Sequence, residues 1–108
     1  MSLNETEQLV LLALAHLGED AYGVTVRQEI EDRSRHPVSI AAVYACLDRL
    51  ERKGYAAARL SKPTPERGGR AKKHFRLTGD GAEALRDARE AMDRMWAGLD
   101  KLRDERAS

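Results

Sequence analysis

Large side chains are scarce in this sequence. Five aromatic residues, Tyr22, Tyr44, Tyr55, Phe75 and Trp96, are spread over 108 positions. A lone domain of this size with so few bulky groups is marginal in stability, and association with another copy is the expected remedy. One cysteine, Cys46, excludes an internal disulfide and suits a reducing compartment. No apolar run approaches the roughly 20 residues of a membrane span. The opening Met1-Ser2-Leu3-Asn4-Glu5 has no basic region ahead of an apolar stretch, so no signal peptide is expected. These absences point to a cytoplasmic protein with no membrane partner.

Catalytic constellations are lacking too. His16 sits in an apolar segment, His36 precedes a proline, and Cys46 has no histidine or carboxylate at a metal-ligand spacing. Gly68-Gly69 lacks the lysine and hydroxyl residue that complete a nucleotide-phosphate loop. The expectation is a non-enzyme with no metal and no cofactor.

Charge is plentiful, and it is sorted along the chain. Residues 1–38 hold three basic and seven acidic side chains, residues 39–77 ten and three, residues 78–108 six and eight. A basic block between two acidic ones is concealed by a net charge of +1. Such asymmetry is the usual footprint of polyanion binding by one face.

The apolar pattern predicts a mainly helical chain with one small hairpin. Asn4 is placed to cap a helix over residues 5–17 that is apolar on every side from Leu9 to Ala15, so it must be covered from two directions. Asp20 is placed to cap a second helix over about 22–35, with Tyr22, Val26 and Ile30 on one face and His36-Pro37 closing it. Ser39 begins a third helix to about Lys53, whose buried stripe is Ile40, Val43, Leu47, Leu50 and Gly54. Residues 55–60 and 74–77 read as two strands joined by a loop rich in glycine, proline and basic groups. Thr78 caps a last helix running to about Leu102, with Leu85, Ala88, Met92, Met95, Leu99 and Leu102 forming a heptad seam. That order is a winged helix-turn-helix domain over 1–77 with a C-terminal dimerisation helix and tail over 78–108.

The third helix and the loop carry the chemistry. Opposite Leu47 lie Ala41, Ala42, Ala45, Arg49 and Arg52: small residues allow close approach of the backbone, and the arginines reach phosphates or guanine edges. Ser39 adds a hydroxyl to the helix N-terminus, itself suited to phosphate, and Tyr44 lies on the flank. The plain alternative for Arg49, Arg52 and Lys53 is a solvated face. From Arg59 to Arg76 there are seven cations (Arg59, Lys62, Arg67, Arg70, Lys72, Lys73, Arg76) against Glu66, with Gly68-Gly69 free to bend just before Arg70. A hairpin of that charge is read as a DNA-contacting wing.

Three stretches carry a family resemblance: Asp20-Ala-Tyr-Gly23, then Ser39-Ile-Ala-Ala-Val-Tyr44-Ala-Cys-Leu-Asp-Arg49-Leu-Glu-Arg-Lys-Gly54, then Pro65-Glu-Arg-Gly-Gly-Arg70 with Arg76-Leu-Thr78. Together they closely resemble PadR-family transcriptional regulators, from about Leu9 to Leu99, and the short last segment is similar to that family's smaller branch. The resemblance implies a homodimer binding a palindromic operator, usually as a repressor, and in some relatives release by a small aromatic compound. It implies DNA contacts by Ser39, Tyr44 and Arg49 from the third helix and by Arg70 and Lys72 from the wing. The sequence departs from the family at His74-Phe75, where relatives often carry two tyrosines.

The resulting expectations are specific. Double-stranded DNA is met by Ser39, Ala42, Tyr44, Arg49, Arg52, Arg67, Arg70, Lys72 and Lys73. A second copy is met by Leu9, Leu12, Leu85, Met92, Met95, Trp96, Leu99 and Leu102. Trp96 and Met92 have two readings, packing across the dimer or lining a flat cavity for an aromatic effector. The alternative function is a protein-interaction module with only non-specific DNA affinity.

Overall fold

A computed structural model describes residues 3–61 and 72–103. Six elements follow one another: α1 (Glu5–Leu17), α2 (Gly23–Ser34), α3 (Ile40–Arg52), β1 (Ala56–Leu60), β2 (Lys73–Leu77) and α4 (Gly79–Trp96). Asn4 caps α1 reciprocally: its side chain accepts from the Glu7 amide at 2.8 Å, and its own amide donates to Glu7 Oε1 at 2.9 Å. The apolar belt of α1 is covered as its composition demands. Val10, Leu11, Ala13 and Leu14 are buried, with α2, α3, β2 and α4 all packed on the helix.

The entry to α2 differs from the sequence expectation. Asp20 does not cap it, because Gly18–Asp20 closes into a 3₁₀ turn of its own. Thr25 Oγ1 serves the start of α2 instead, accepting from the Tyr22 amide at 3.0 Å and donating to the Asp20 carbonyl at 2.6 Å. At the other end Arg35, in the left-handed region at φ 60°, stops the helix at Ser34, ahead of His36-Pro37. Arg27 reaches from α2 to the Val38 carbonyl at 3.1 Å and pairs with Glu31 at 2.9 Å, which fixes the turn into α3.

Ser39 caps α3 as expected, its hydroxyl accepting from the Ala42 amide at 3.0 Å. The buried arc of α3 is Val43, Cys46, Leu47 and Leu50. Cys46, expected about 100° from the buried centre as a small space-filler or a partly exposed thiol, is wholly enclosed, the first of those readings, while Ile40 and Gly54, expected on the buried stripe, are exposed. Coverage comes from α1, α2 and β1 together, so the arc is broader than one stripe and does not reach its two ends. Burial pushes the Cys46 thiol up to about 11, so it stays protonated at neutral pH as a space-filling group.

β1 and β2 pair antiparallel, from Ala56 opposite Leu77 to Leu60 opposite Lys73. β2 is also bonded on its other side, since the Phe75 amide donates to the Ala21 carbonyl at 2.8 Å and Tyr22 bridges to His74. Phe75 seals the core from this hairpin. Thr78 then clamps the start of α4: its hydroxyl accepts from the Gly81 amide at 3.0 Å and donates to the Gly54 carbonyl at 2.7 Å. The helix ends at Trp96 and not at Leu102, because Gly98 takes φ 82° and a 3₁₀ turn follows over Asp100–Arg103. The expected heptad seam is therefore interrupted after Trp96.

Two glycines permit contacts that a methyl group would block. A Cβ at Gly81 would stand 2.2 Å from the Tyr55 carbonyl oxygen, and one at Gly23 would stand 2.3 Å from Cε1 of the Tyr44 ring. The first obstacle is backbone and cannot yield. The second is the end of a side chain and can swing away.

Glu7 joins the two ends of the domain core. Its side chain is 3% exposed, and the carboxylate accepts from Lys53 Nζ at 2.6 Å and lies 3.8 Å from Arg49 Nε. Burial alone would raise its pKa, but the Lys53 hydrogen bond, the Asn4 amide and the charges of Lys53 and Arg49 outweigh it, so the carboxyl is held below its ordinary value of 4.5.

Gly81→Ala should lower unfolding stability by about 1–3 kcal/mol, and Gly23→Ala by less, in chemical denaturation. Tyr44→Ala should erase the Gly23→Ala penalty and leave that of Gly81→Ala unchanged. For Glu7, a depressed folded pKa means a contribution present above the ordinary carboxylate range and lost as pH falls through the lowered value. Urea midpoints measured from neutral to acid pH should thus drop less steeply below pH 4.5 in Glu7→Gln than in the unaltered chain.

Candidate nucleic-acid interface

One face of α3 is open to solvent, with Arg49 at its edge toward α1. Ser39, Ala41, Ala42, Tyr44, Ala45 and Arg52 are exposed, and the Arg49 side chain is 41% exposed. These are the positions picked out by the spacing around Leu47, and the fold brings them together on one side. The alanines leave the backbone of the first two turns uncovered. Tyr44 lies across Gly23 at the start of α2, with 48% of its surface exposed. Gly23 explains the tyrosine-glycine pair of the sequence: its missing side chain is the seat for the ring of Tyr44 on α3.

Cations nearby are divided between internal and external use. Lys53 is spent on Glu7, and Lys73 turns back to Glu51 of α3 at 3.1 Å while lying over the Phe75 ring. Lys72 lies with Nζ 4.0 Å from the Tyr22 ring centroid, a cation–π contact that aligns the outer side of the hairpin base. Arg52, Arg59 and Arg76 are exposed. Arg67 and Arg70, the expected wing-tip contacts, lie outside the described residues. His74, where relatives were expected to carry a tyrosine, is buried under Tyr22, with ring centroids 5.4 Å apart. Its Nδ1 donates to the Glu19 carbonyl at 3.0 Å, which turns the ring inward, away from any phosphate outside.

Sequence reasoning missed Glu7 and Glu51 as partners for the basic block. A glutamate three residues after a capping asparagine signals the cap, and nothing in its spacing signals a lysine on another helix.

The residues expected at a subunit contact fall into two sets. Leu9 and Leu85 are partly buried and pack against this chain's own core. Leu12, Met92, Met95, Trp96, Leu99 and Leu102 are exposed, and the last five line one shallow apolar depression of about 250 Å³. The turn at Gly98 keeps Leu99 and Leu102 on the same patch, so the break in the seam does not disperse it. Among the described residues no cluster of His, Cys, Asp and Glu could hold a metal ion, and no helix is long and apolar enough to cross a membrane.

The profile of the Transcriptional regulator PadR-like family matches residues 11–87. No curated protein matches the chain. Among solved structures, a PadR family transcriptional regulator from Eggerthella lenta is 27% identical, covering 93% of this chain and 85% of its own, with a TM-score of 0.70. A PadR-like transcriptional regulator from Bacillus cereus is 18% identical, with 90% and 89% covered and a TM-score of 0.70. F93 from STIV, a winged-helix DNA-binding protein, is 17% identical, with 91% and 98% covered and a TM-score of 0.69. The last two likenesses establish the winged-helix fold. With the profile running from α1 into α4, the chain belongs to the PadR-like family of transcriptional regulators, a family of DNA-binding regulators and not of enzymes.

Proposed function

We propose that this PadR-like regulator is a cytoplasmic homodimeric repressor that binds a palindromic operator. The observation that carries the reading is the uncovered face of α3, where Ser39, Ala42, Tyr44, Arg49 and Arg52 lie together beside the basic hairpin. Ala42 and the helix N-terminus approach the duplex in the major groove, Ser39 and Tyr44 meet phosphates, and Arg49 and Arg52 reach base edges or the backbone. Lys72, with Arg67 and Arg70 of the loop beyond the described residues, tracks the adjacent backbone; Lys73 adds charge at the hairpin base.

Dimerisation uses the apolar patch of Met92, Met95, Trp96, Leu99 and Leu102 with Leu12 of α1, and Leu9 and Leu85 support it from beneath. An apolar surface of this kind on so small a domain is the ordinary mark of an interaction site. Twofold symmetry sets the two α3 helices about 34–36 Å apart, one helical turn of DNA or a multiple of it. Residues 1–77 act as the DNA-binding unit and residues 78–108 as the dimerisation unit. Trp96 and Met92 of two subunits form the seat of a planar aromatic effector, whose binding changes the angle between subunits and releases the operator. Half-exposed Trp96 in an apolar depression supports that role.

The test is a salt-titrated binding assay on promoter DNA with random duplex of equal length as competitor. Tight binding that survives the competitor is expected. Each of Arg52→Ala, Arg70→Ala and Lys72→Ala should weaken binding to every sequence and flatten the log–log salt slope by about 1. Leu99→Glu should give a monomer in sedimentation and lose operator binding together. Equal affinity for both duplexes points instead to a protein-interaction module.

A further inference from the structure

We infer that Glu7, which stands on α1 and not on the exposed face of α3, is a positioning residue for DNA discrimination, acting through Arg49. This inference rests on the DNA-binding reading above and names a determinant within it.

The geometry is unusual for a capping glutamate. Glu7 stands in the first turn of α1, yet its carboxylate points into the crevice where α1 meets the end of α3. Its two oxygens have different tasks: Oε1 accepts the Asn4 amide, and Oε2 faces Lys53 and Arg49. Lys53 makes the short bond at 2.6 Å and Arg49 Nε stands at 3.8 Å, beyond hydrogen-bond length. Arg49 is thus attracted without being captured. The pull acts on Nε, at the root of the guanidinium, so the side chain is drawn toward α1 while 41% of it stays exposed.

Arginine has several rotatable bonds, and a free one spends its charge on any phosphate within reach. Restraint at Nε converts a mobile charge into a group presented from a defined place. Bidentate reading of a base edge needs that, and phosphate attraction does not. Lys53 meanwhile is held on the carboxylate, where it adds nothing to sequence-independent affinity. Glu7 consequently lowers the charge offered to the backbone and raises the share of binding that depends on sequence.

Glu7→Gln separates this role from a structural one. Glutamine is accepted at this position of a capping box, so the link to Asn4 is kept while the charge is removed. The probe is the duplex enriched by the unaltered protein from a random library, measured against random duplex of equal length over a salt series. In Glu7→Gln the ratio of the two affinities should fall by about 5- to 50-fold, the range of a lost bidentate base contact. Random-duplex affinity should hold or rise, with the salt slope steeper by about 1. Arg49→Ala should lose the same discrimination, and Glu7→Gln with Arg49→Ala should lose no more than Arg49→Ala alone. Should Glu7→Gln fail to fold, Glu7→Gln with Lys53→Met leaves no unpaired lysine in the crevice and is expected to show the same loss.

An unchanged ratio in the folded Glu7→Gln variant would overturn the inference. So would losses that multiply in the double variant, since Glu7 would then act independently of Arg49. If the unaltered protein enriches no duplex, the specific-regulator reading fails and takes this inference with it, a result distinct from either of the others.

Discussion

A helix that is apolar on nearly every side cannot stand at a surface, and the fold is arranged around α1 for that reason. Its buried residues, Val10, Leu11, Ala13 and Leu14, demand partners from several directions. α2 and α3 supply two of them, the hairpin supplies Phe75, and the first turns of α4 supply Ala84 and Leu85. Each of those elements is left with one face committed and the other wet. For α3 the committed arc is Val43, Cys46, Leu47 and Leu50, so the alanines, Tyr44 and Arg52 must face outward. The open face proposed to meet DNA is in this sense what remains once α1 is covered.

Charge is distributed by depth as well as along the sequence. Ten cations within residues 39–77 would repel one another if all pointed the same way. Among the described residues two carboxylates moderate this: Glu7 of α1, from within, takes Lys53 and attracts Arg49, and Glu51 of α3, at the surface, takes Lys73. Exposed pairs such as Lys73–Glu51 contribute little to stability. Their effect is to decide which cations are offered outward. The buried Glu7 differs in kind, because removing Lys53 would leave its carboxylate inside the protein without its closest cation.

Features governed by one turn of chain were legible in the sequence. Asn4, Ser39 and Thr78 cap their helices as their positions imply, and the hairpin forms between the two short strands despite its alanines. Features governed by packing between distant segments were not. Thr25 outcompetes Asp20 at the start of α2 because the turn over Gly18–Asp20 consumes the aspartate's position. Gly23 and Gly81 look like ordinary helix-start residues until Tyr44 and the Tyr55 carbonyl are placed against them. The end of α4 was a conflict between two signals: the leucine spacing continued to Leu102, while Gly98 offered the positive φ that terminates helices. Backbone conformation won locally, and the apolar residues regrouped beyond it. The basic tip of the wing, Arg67 and Arg70, lies outside the described residues.

Both ends of α3 are anchored, and to different neighbours. The N-terminal end, with Ser39 and Tyr44, is tied to α2 through Gly23 and through Arg27 at the Val38 carbonyl. Immediately past the C-terminal end, Thr78 holds the start of α4 to Gly54 and Tyr55, and Glu7 holds α1 to Lys53. Those last two helices carry Leu12 and the Met92–Trp96 patch, the surfaces assigned to the second subunit. In the proposed dimer, the subunit contacts and α3 are joined by short bonded links at Gly54, Tyr55 and Lys53. A change in the angle between subunits must then be passed to α3 as a rigid displacement. On a palindromic operator of the kind proposed, with half-sites at a fixed spacing, a small displacement of that kind would set binding against release.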